Sequence, residues 1–468
     1  MIDLNIINGK VFVENELIET GLSIDNGKIV AIGQTKTLPK ADKTINAENQ
    51  LILPGGIDVH THILDLEFSY REDFYTGTQA ASSGGITTIL EMPMGIRGKS
   101  VTESFDMQLN AMKERSLVDY GLIGSAGYTN IRSINELVSR GAIAFKTFMI
   151  DAPEEMYELK DLSAKNDSFL LKIFSKIAEV DSVSCIHAEN DVIINNEINR
   201  LSSIGKYDFQ AHTDSRPAIA EDEACIRAMQ LANRAKAKLN LVHMSSKNAF
   251  DSIKIAKQKG WDITCEITPH HLFLTSDDAE KIGAWAKSDP PIRSKEHMEA
   301  AWKALNDGTI DIIASDHSPY SYEEKDTSKK ENGIFGVGSG TPGLETMIPL
   351  LLDAVNKEKL SLQRYVEVTS VNPAKRFGIY PNKGTLSLNS DADFIIIDMK
   401  REHTLENENM FTKQKITIFD GWKLQGKIEK TIIRGEIVYE EGQFLTKRGS
   451  GIFITPKYVE LSDSSSSL

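Results

Sequence analysis

Apolar residues along this chain follow two regimes. From residue 1 to about 50 they form short runs, Leu4 to Asn8, Val11 to Val13, Leu22 to Asp25 and Lys28 to Ile32. Asn8-Gly9 and Asp25-Asn26-Gly27 lie between them and supply residues that accept the positive φ of tight hairpins. A small antiparallel β unit is expected there. From Leu51 the pattern becomes apolar strand, polar turn and helix, repeated. The strand candidates are Leu51 to His60, Thr87 to Met92, Tyr120 to Ser125, Ile143 to Met149, Val183 to His187, Leu239 to His243, Ile263 to Ile267 and Ile310 to Ser315. Helical windows with apolar residues three and four apart separate them, among them Thr102 to Arg115, Ala220 to Ala235, Lys247 to Gln258 and Glu296 to Leu305. Near-continuous apolar strands alternating with helices predict an α/β protein, a parallel (β/α)8 TIM-type barrel whose strands are buried on both faces.

After two further helices, Leu344 to Val355 and Leu362 to Thr369, strand-like runs return at Phe394 to Ile397, Ile416 to Phe419 and Thr431 to Tyr439. Each is marginal alone, so pairing with the N-terminal β unit is expected. The predicted organisation is a discontinuous β-sandwich domain from residues 1–52 and 385–456, a barrel over 53–384 and a disordered polar tail at 457–468.

Composition adjusts this picture only slightly. With 40% hydrophobic and 26% charged residues over 468 positions, a large globular core is affordable. A formal charge of -14 argues against nucleic-acid and anionic-membrane surfaces, leaving small molecules and self-association as partners. The N-terminus lacks a basic flank before an apolar run, and no stretch of about 18 apolar residues occurs, so a cytoplasmic location is expected. Cys185, Cys225 and Cys265 cannot all pair. Cys185 and Cys265 sit in apolar runs where a thiol is ordinarily a small buried hydrophobe.

Candidate chemistry begins at Gly55-Gly56-Ile57-Asp58-Val59-His60-Thr61-His62. Histidines one residue apart at a strand end face the same side and can grip one ion, although an isolated pair of this kind can also split between core and solvent. Later strands end in, or contain, Lys146, His187, His243 and Asp316, and barrel chemistry sits at C-terminal strand ends. Lys146, in Ala144-Phe145-Lys146-Thr147-Phe148, carries an ammonium into an apolar strand at a large desolvation cost. Either a carboxylate pairs with it, or the neutral amine has captured carbon dioxide as a carbamate and become an anionic bridging ligand.

The motifs GGIDVHTH, AFKTFM, CIHAEN, LVHMSS and ASDHSP, in this order, resemble the cyclic-amide branch of the amidohydrolase superfamily, which includes allantoinase, dihydropyrimidinase or hydantoinase, and dihydroorotase. The resemblance spans almost the whole chain. It implies that His60, His62 and Asp316 hold one divalent metal, His187 and His243 a second, with carboxylated Lys146 bridging them and zinc the expected metal. Asp316 would also act as general base and acid. A homotetramer is usual in this family. Asp58, His270 and His317 are expected to support the ligands or line the pocket, since metal-bound histidines need orienting acceptors. His212, His297 and His403 fall outside every motif and read as surface or packing residues.

Departures from the family patterns bear on the ring. Asp151 stands where hydantoinases place a tyrosine that donates to the developing oxyanion, a contribution of about 2.7–4 kcal/mol. Leu64 stands where dihydroorotases place an arginine for the substrate carboxylate, with Arg71 the nearest replacement. Asp289 occupies a position usually small or neutral, where a carboxylate could repel an anionic substrate or bind a cationic one. Ser288, Ser339 and Gly340 complete the expected substrate contacts. The segments around Thr268-Pro269-His270-His271 and Asp289-Pro290-Pro291 look closest to allantoinases. Opening of an allantoin-like cyclic ureide is therefore the leading expectation, with hydantoins and dihydropyrimidines the alternative. Dihydroorotate hydrolysis, or a non-enzymatic assembly role on the same fold, stands behind both.

Overall fold

The computed structural model describes residues 2–151 and 157–456, so the expected tail at 457–468 lies outside the described residues. Eight parallel strands form the barrel: Gly56–Thr61, Ile86–Glu91, Asp119–Ser125, Ala144–Phe148, Val183–His187, Lys238–Leu241, Ile263–Ile267 and Ile312–Ile313. The first and last meet through a bridge between Thr61 and His317, where His62 N–H donates to His317 O at 2.7 Å. Ile57, Val59, Leu90, Ile123, Val183 and Ile312 fill the barrel interior below the strand ends, and Phe377 and Ile379 pack into the same cluster. The apolar floor leaves the C-terminal mouth for polar groups. Among the described residues, no helix is long and apolar enough to cross a membrane.

The strands of both chain ends join in one nine-stranded sheet. The N-terminal strand, Ile2–Val13, runs through the expected Asn8-Gly9 turn, because the positive φ of Asn8 makes a bulge rather than a hairpin. Asn26 and Gly27 do form the expected reversal, with φ of 50° and 74°. The predicted run Leu51 to His60 divides. Leu51–Pro54 pairs antiparallel with Phe394–Thr404 in the β domain, and Gly56–Thr61 begins the barrel. Gly55 lies at the division, pressed against Thr87 so closely that a Cβ would sit 2.2 Å from its methyl.

Two late expectations need correction. Ile416 to Phe419 is loop, and Ile418 and Phe419 pack with Leu274, Leu350 and Leu424 instead of extending a strand. Thr431 to Tyr439 contains a reversal between Lys423–Ile433 and Glu436–Glu440, made by Arg434 and Gly435 at φ of 46° and 75°. An arginine at a turn is a poor sequence signal, since its side chain does not favour positive φ.

Candidate active site

Six side chains converge at the barrel mouth. His60, on the first strand, is buried; its Nε2 lies 3.2 Å from both Lys146 Nζ and Asp316 Oδ1. His62 Nε2 lies 3.5 Å from the same Asp316 oxygen. His187 Nδ1 and His243 Nε2 are 3.1 Å apart, and the His60 and His243 rings are 5.3 Å apart between centroids. His60, His243 and Asp316 can offer ligand atoms that all fall within 4.8 Å of one another.

Backbone conformation helps bring them there. His243 and Asp316 follow their strands at φ of 39° and 50°, a region that side chains other than glycine, asparagine and aspartate enter rarely and at a cost. Both residues lie just past the ends of their strands, where the chain turns at the mouth. Lys146 needs no such device, because the strand Ala144–Phe148 itself carries it inward.

Burial sets the protonation of these groups. Burial lowers the His62 imidazolium to about 3 and drives His60 and His243 well below their ordinary value, so the rings are neutral ligands at physiological pH. Burial also pulls the Lys146 ammonium down to about 8 and pushes the Asp316 carboxyl up to about 7. His243 Nδ1 is buried without a hydrogen-bond partner among the described residues. Imidazoles, an amine that can become a carbamate, and a carboxylate are a donor set suited to divalent ions such as zinc.

Residues 51–438 match the Amidohydrolase family. The chain belongs to that family. The match covers the barrel and, of the flanking sheet, the strands Leu51–Pro54, Phe394–Thr404 and Lys423–Ile433. An L-hydantoinase of Paenarthrobacter aurescens is 35% identical over 99% of this chain and all of its own length. A dihydroorotase of Methanosarcina acetivorans is 35% identical over 97% of this chain and 96% of its own, and an allantoinase of Salmonella choleraesuis is 33% identical over 95% and 99%. The crystal structure of the L-hydantoinase (dihydropyrimidinase) from Arthrobacter aurescens superposes with a TM-score of 0.92 at 34% identity, covering 97% of this chain and all of that one.

Around the amidohydrolase mouth, several supporting residues differ from expectation. Asp58 does not touch a histidine ring. Its Oδ1 accepts from the backbone N–H of His60 and of Ser315, both at 3.1 Å, and so ties the first strand to the segment carrying Asp316. The acceptor behind His60 is Glu266, whose Oε2 lies 3.0 Å from Nδ1 and leaves Nε2 facing the mouth. Behind His187 stands Glu189, with Oε2 2.8 Å from Nε2. Sequence reasoning missed both. A lone acid inside the apolar strand Ile263–Ile267 carried the same signal as Lys146, and Glu189 lies two residues beyond its histidine.

The expected substrate contacts separate into two groups. Ser288 and Asp289 are tied to the segment behind His187: His212 Nε2 donates to Ser288 O at 2.9 Å, and Arg216, which also pairs with Glu189, pairs with Asp289 at 2.9 Å. His212 is thus a buried packing residue that holds the Ser288 backbone. Ser339 and Gly340 follow a segment held by buried lysines, Lys287 donating to Val337 O at 2.5 Å and Lys325 to Gly338 O at 2.9 Å, and Gly340 N–H donates to Lys287 O at 2.8 Å. Asp151 is half exposed and bonded to Lys165 and Ser163. Arg71 lies between the Phe68 and Tyr320 rings and pairs with Glu324 at 2.5 Å. His270 is buried, its Nε2 without a hydrogen-bond partner among the described residues, His271 packs against Thr268 and Pro290, and His317 Nδ1 accepts from Gly343 N–H.

A second cluster of acids, Asp119, Asp391 and Asp393, is not a rival metal centre. Lys383 Nζ lies among all three carboxylates.

Proposed function

We propose that this amidohydrolase opens the C–N bond of a cyclic amide or ureide, using a two-metal centre held by His60, His62, His187, His243 and Asp316 and bridged by carboxylated Lys146. The observation that carries the reading is Lys146 itself. It is fully buried at the mouth with an imidazole nitrogen as its hydrogen-bond neighbour, and burial favours the neutral amine that carbon dioxide can capture. Two divalent ions, with zinc the expected metal, would supply an activated water at neutral pH and polarise the ring carbonyl.

The chain's own groups supply the proton traffic. Asp316, whose Oδ1 lies within 3.5 Å of both His60 and His62, would take the proton of the attacking water and return it to the leaving ring nitrogen. Glu266 and Glu189 fix the rings of His60 and His187, and Asp58 fixes the backbone between His60 and Ser315. Ser288 and the backbone at Ser339 and Gly340 orient the ring.

Allantoin-like ureides remain the leading substrates from the pocket segments around His270 and Asp289. Hydantoins are the second reading, supported by 35% identity to the L-hydantoinase over its full length. The test is ring opening by the zinc-loaded, bicarbonate-treated protein on allantoin, hydantoin, 5-substituted hydantoins, dihydrouracil and dihydroorotate. Hydrolysis of at least one neutral ring is expected, and a two-metal protein that leaves every ring intact would sink the proposal. In a companion experiment Lys146→Ala should lose bound metal and activity, with bicarbonate unable to restore either; full metal occupancy would remove its bridging role.

A further inference from the structure

Behind the metal-facing histidines lies a row of charges. His187 Nε2 meets Glu189 Oε2, the same oxygen meets Arg216 Nη1, and Arg216 Nη2 meets Asp289 Oδ2 at 2.9 Å. Arg216 is nearly buried, whereas the Asp289 side chain keeps 23% of its surface. Two carboxylates therefore share one guanidinium, and Lys287 is a further cation acting on Asp289. Asp289 Oδ1 has no hydrogen-bond partner among the described residues; the nearest N–H, that of His212, is directed to Ser288 O. Burial alone would raise this carboxyl, but Arg216, His212 and Lys287 outweigh it and keep Asp289 ionised.

The other cations nearby are engaged. Arg71 is bonded to Glu324, Arg293 to Glu221 and Ser245, and Lys287 and Lys325 to main-chain carbonyls. Leu64 supplies no charge where a dihydroorotase would have its arginine. A ring bearing a carboxylate would thus meet the Asp289 carboxylate, with the Arg216 guanidinium already paired to Asp289 and Glu189.

Resting on the ring-opening function above, we propose that Asp289 sets the charge specificity of the site: by engaging Arg216 it denies a substrate carboxylate its nearest guanidinium and restricts the pocket to rings without an anionic substituent. Arg216 is a latent carboxylate receptor, masked by one side chain. A tether that merely held Arg216 in place would affect neutral and anionic rings alike.

The experiment uses matched pairs differing by one carboxylate, dihydrouracil with dihydroorotate and 5-methylhydantoin with hydantoin-5-acetate. Metal-loaded parent, Asp289→Asn and Asp289→Glu are compared by kcat/KM on each. The parent is expected to favour the neutral member. Asp289→Asn, which keeps the size of the side chain and loses its charge, should raise the anionic-to-neutral ratio by about ten-fold or more, the scale of one like charge within the pocket. Asp289→Glu should keep the parent's order. In parallel, equilibrium titration with orotate against uracil reads the same charge preference without turnover, and orotate should gain about ten-fold in relative affinity in Asp289→Asn. Unchanged ratios and unchanged relative orotate affinity, in a variant with full metal content, would overturn the proposal. If the parent opens no ring, the ring-opening function fails while the orotate titration still decides the role of Asp289.

Discussion

Glu266 shows how a residue without direct contact with substrate can govern the site. Its Oε2 lies 3.0 Å from His60 Nδ1, and its Oε1 accepts from Asn240, so it sets the tautomer that leaves His60 Nε2 free at the mouth. Glu266→Ala is expected to weaken metal retention about 10- to 100-fold, the usual cost of removing an orienting acceptor, with the other ligand residues untouched. Competition against a graded chelator measures this, and retention equal to the parent would mean that packing alone orients His60. The six residues expected as ligands were legible in the sequence because each ends or interrupts an apolar strand, where a polar side chain needs a reason. Glu266 obeyed the same rule but was passed over as one more strand residue. Asp151 shows the opposite limit: its position along the chain suggests a substrate contact, and no linear pattern reports that its carboxylate pairs with Lys165 and Ser163.

At the scale of elements, the boundary between sheet and barrel was the hardest to read. Leu51 to His60 is one apolar run, but two sheets claim its halves, and the change occurs where Gly55 N–H donates to Asp393 O at 3.0 Å. A Cβ at Gly55 would meet Thr87 Cγ2 at 2.2 Å and Oγ1 at 2.3 Å. Gly55→Ala should therefore destabilise the fold by about 1–3 kcal/mol through overpacking. Adding Thr87→Ala, which removes both of those atoms, should recover part of the loss in thermal melts. Absence of any recovery would place the cost in backbone freedom rather than in the contact. The eight barrel strands were foreseen because parallel strands buried on both faces leave long apolar runs. The reversal at Arg434-Gly435 was not, because tertiary pairing holds an arginine in a conformation its side chain disfavours.

Barrel and sheet are joined into one molecule by buried charge as well as by apolar packing. Lys383, in the segment between them, bonds Asp119 at the start of the third barrel strand and Asp391 and Asp393 at the edge of the sheet, while Arg434 from the sheet hairpin also reaches Asp119. The cluster opposes two costs: burial penalises every charge, and removing the Lys383 ammonium would leave three neighbouring carboxylates with Lys28 on Asp391 and Arg434 on Asp119 as the remaining ion pairs. Burial already pushes Asp393 up to about 6, against the lowering effect of Lys383. With a folded-state value above the ordinary 3.8, Asp393 binds its proton more tightly folded than unfolded, so its contribution to stability falls as pH rises from 3.8 through about 6. Lys383→Met removes the compensating charge. The variant should lose about 3–5 kcal/mol at neutral pH, the range for breaking a buried pair on one side. Because the orphaned carboxyls then titrate higher still, the deficit should shrink on acidification towards pH 5 and be fully present at pH 8. Thermal unfolding of parent and variant across that interval reads the difference directly. A deficit that does not change with pH would mean that Lys383 holds the two units together through the packing of its methylene stem, with the three aspartates satisfied by other donors.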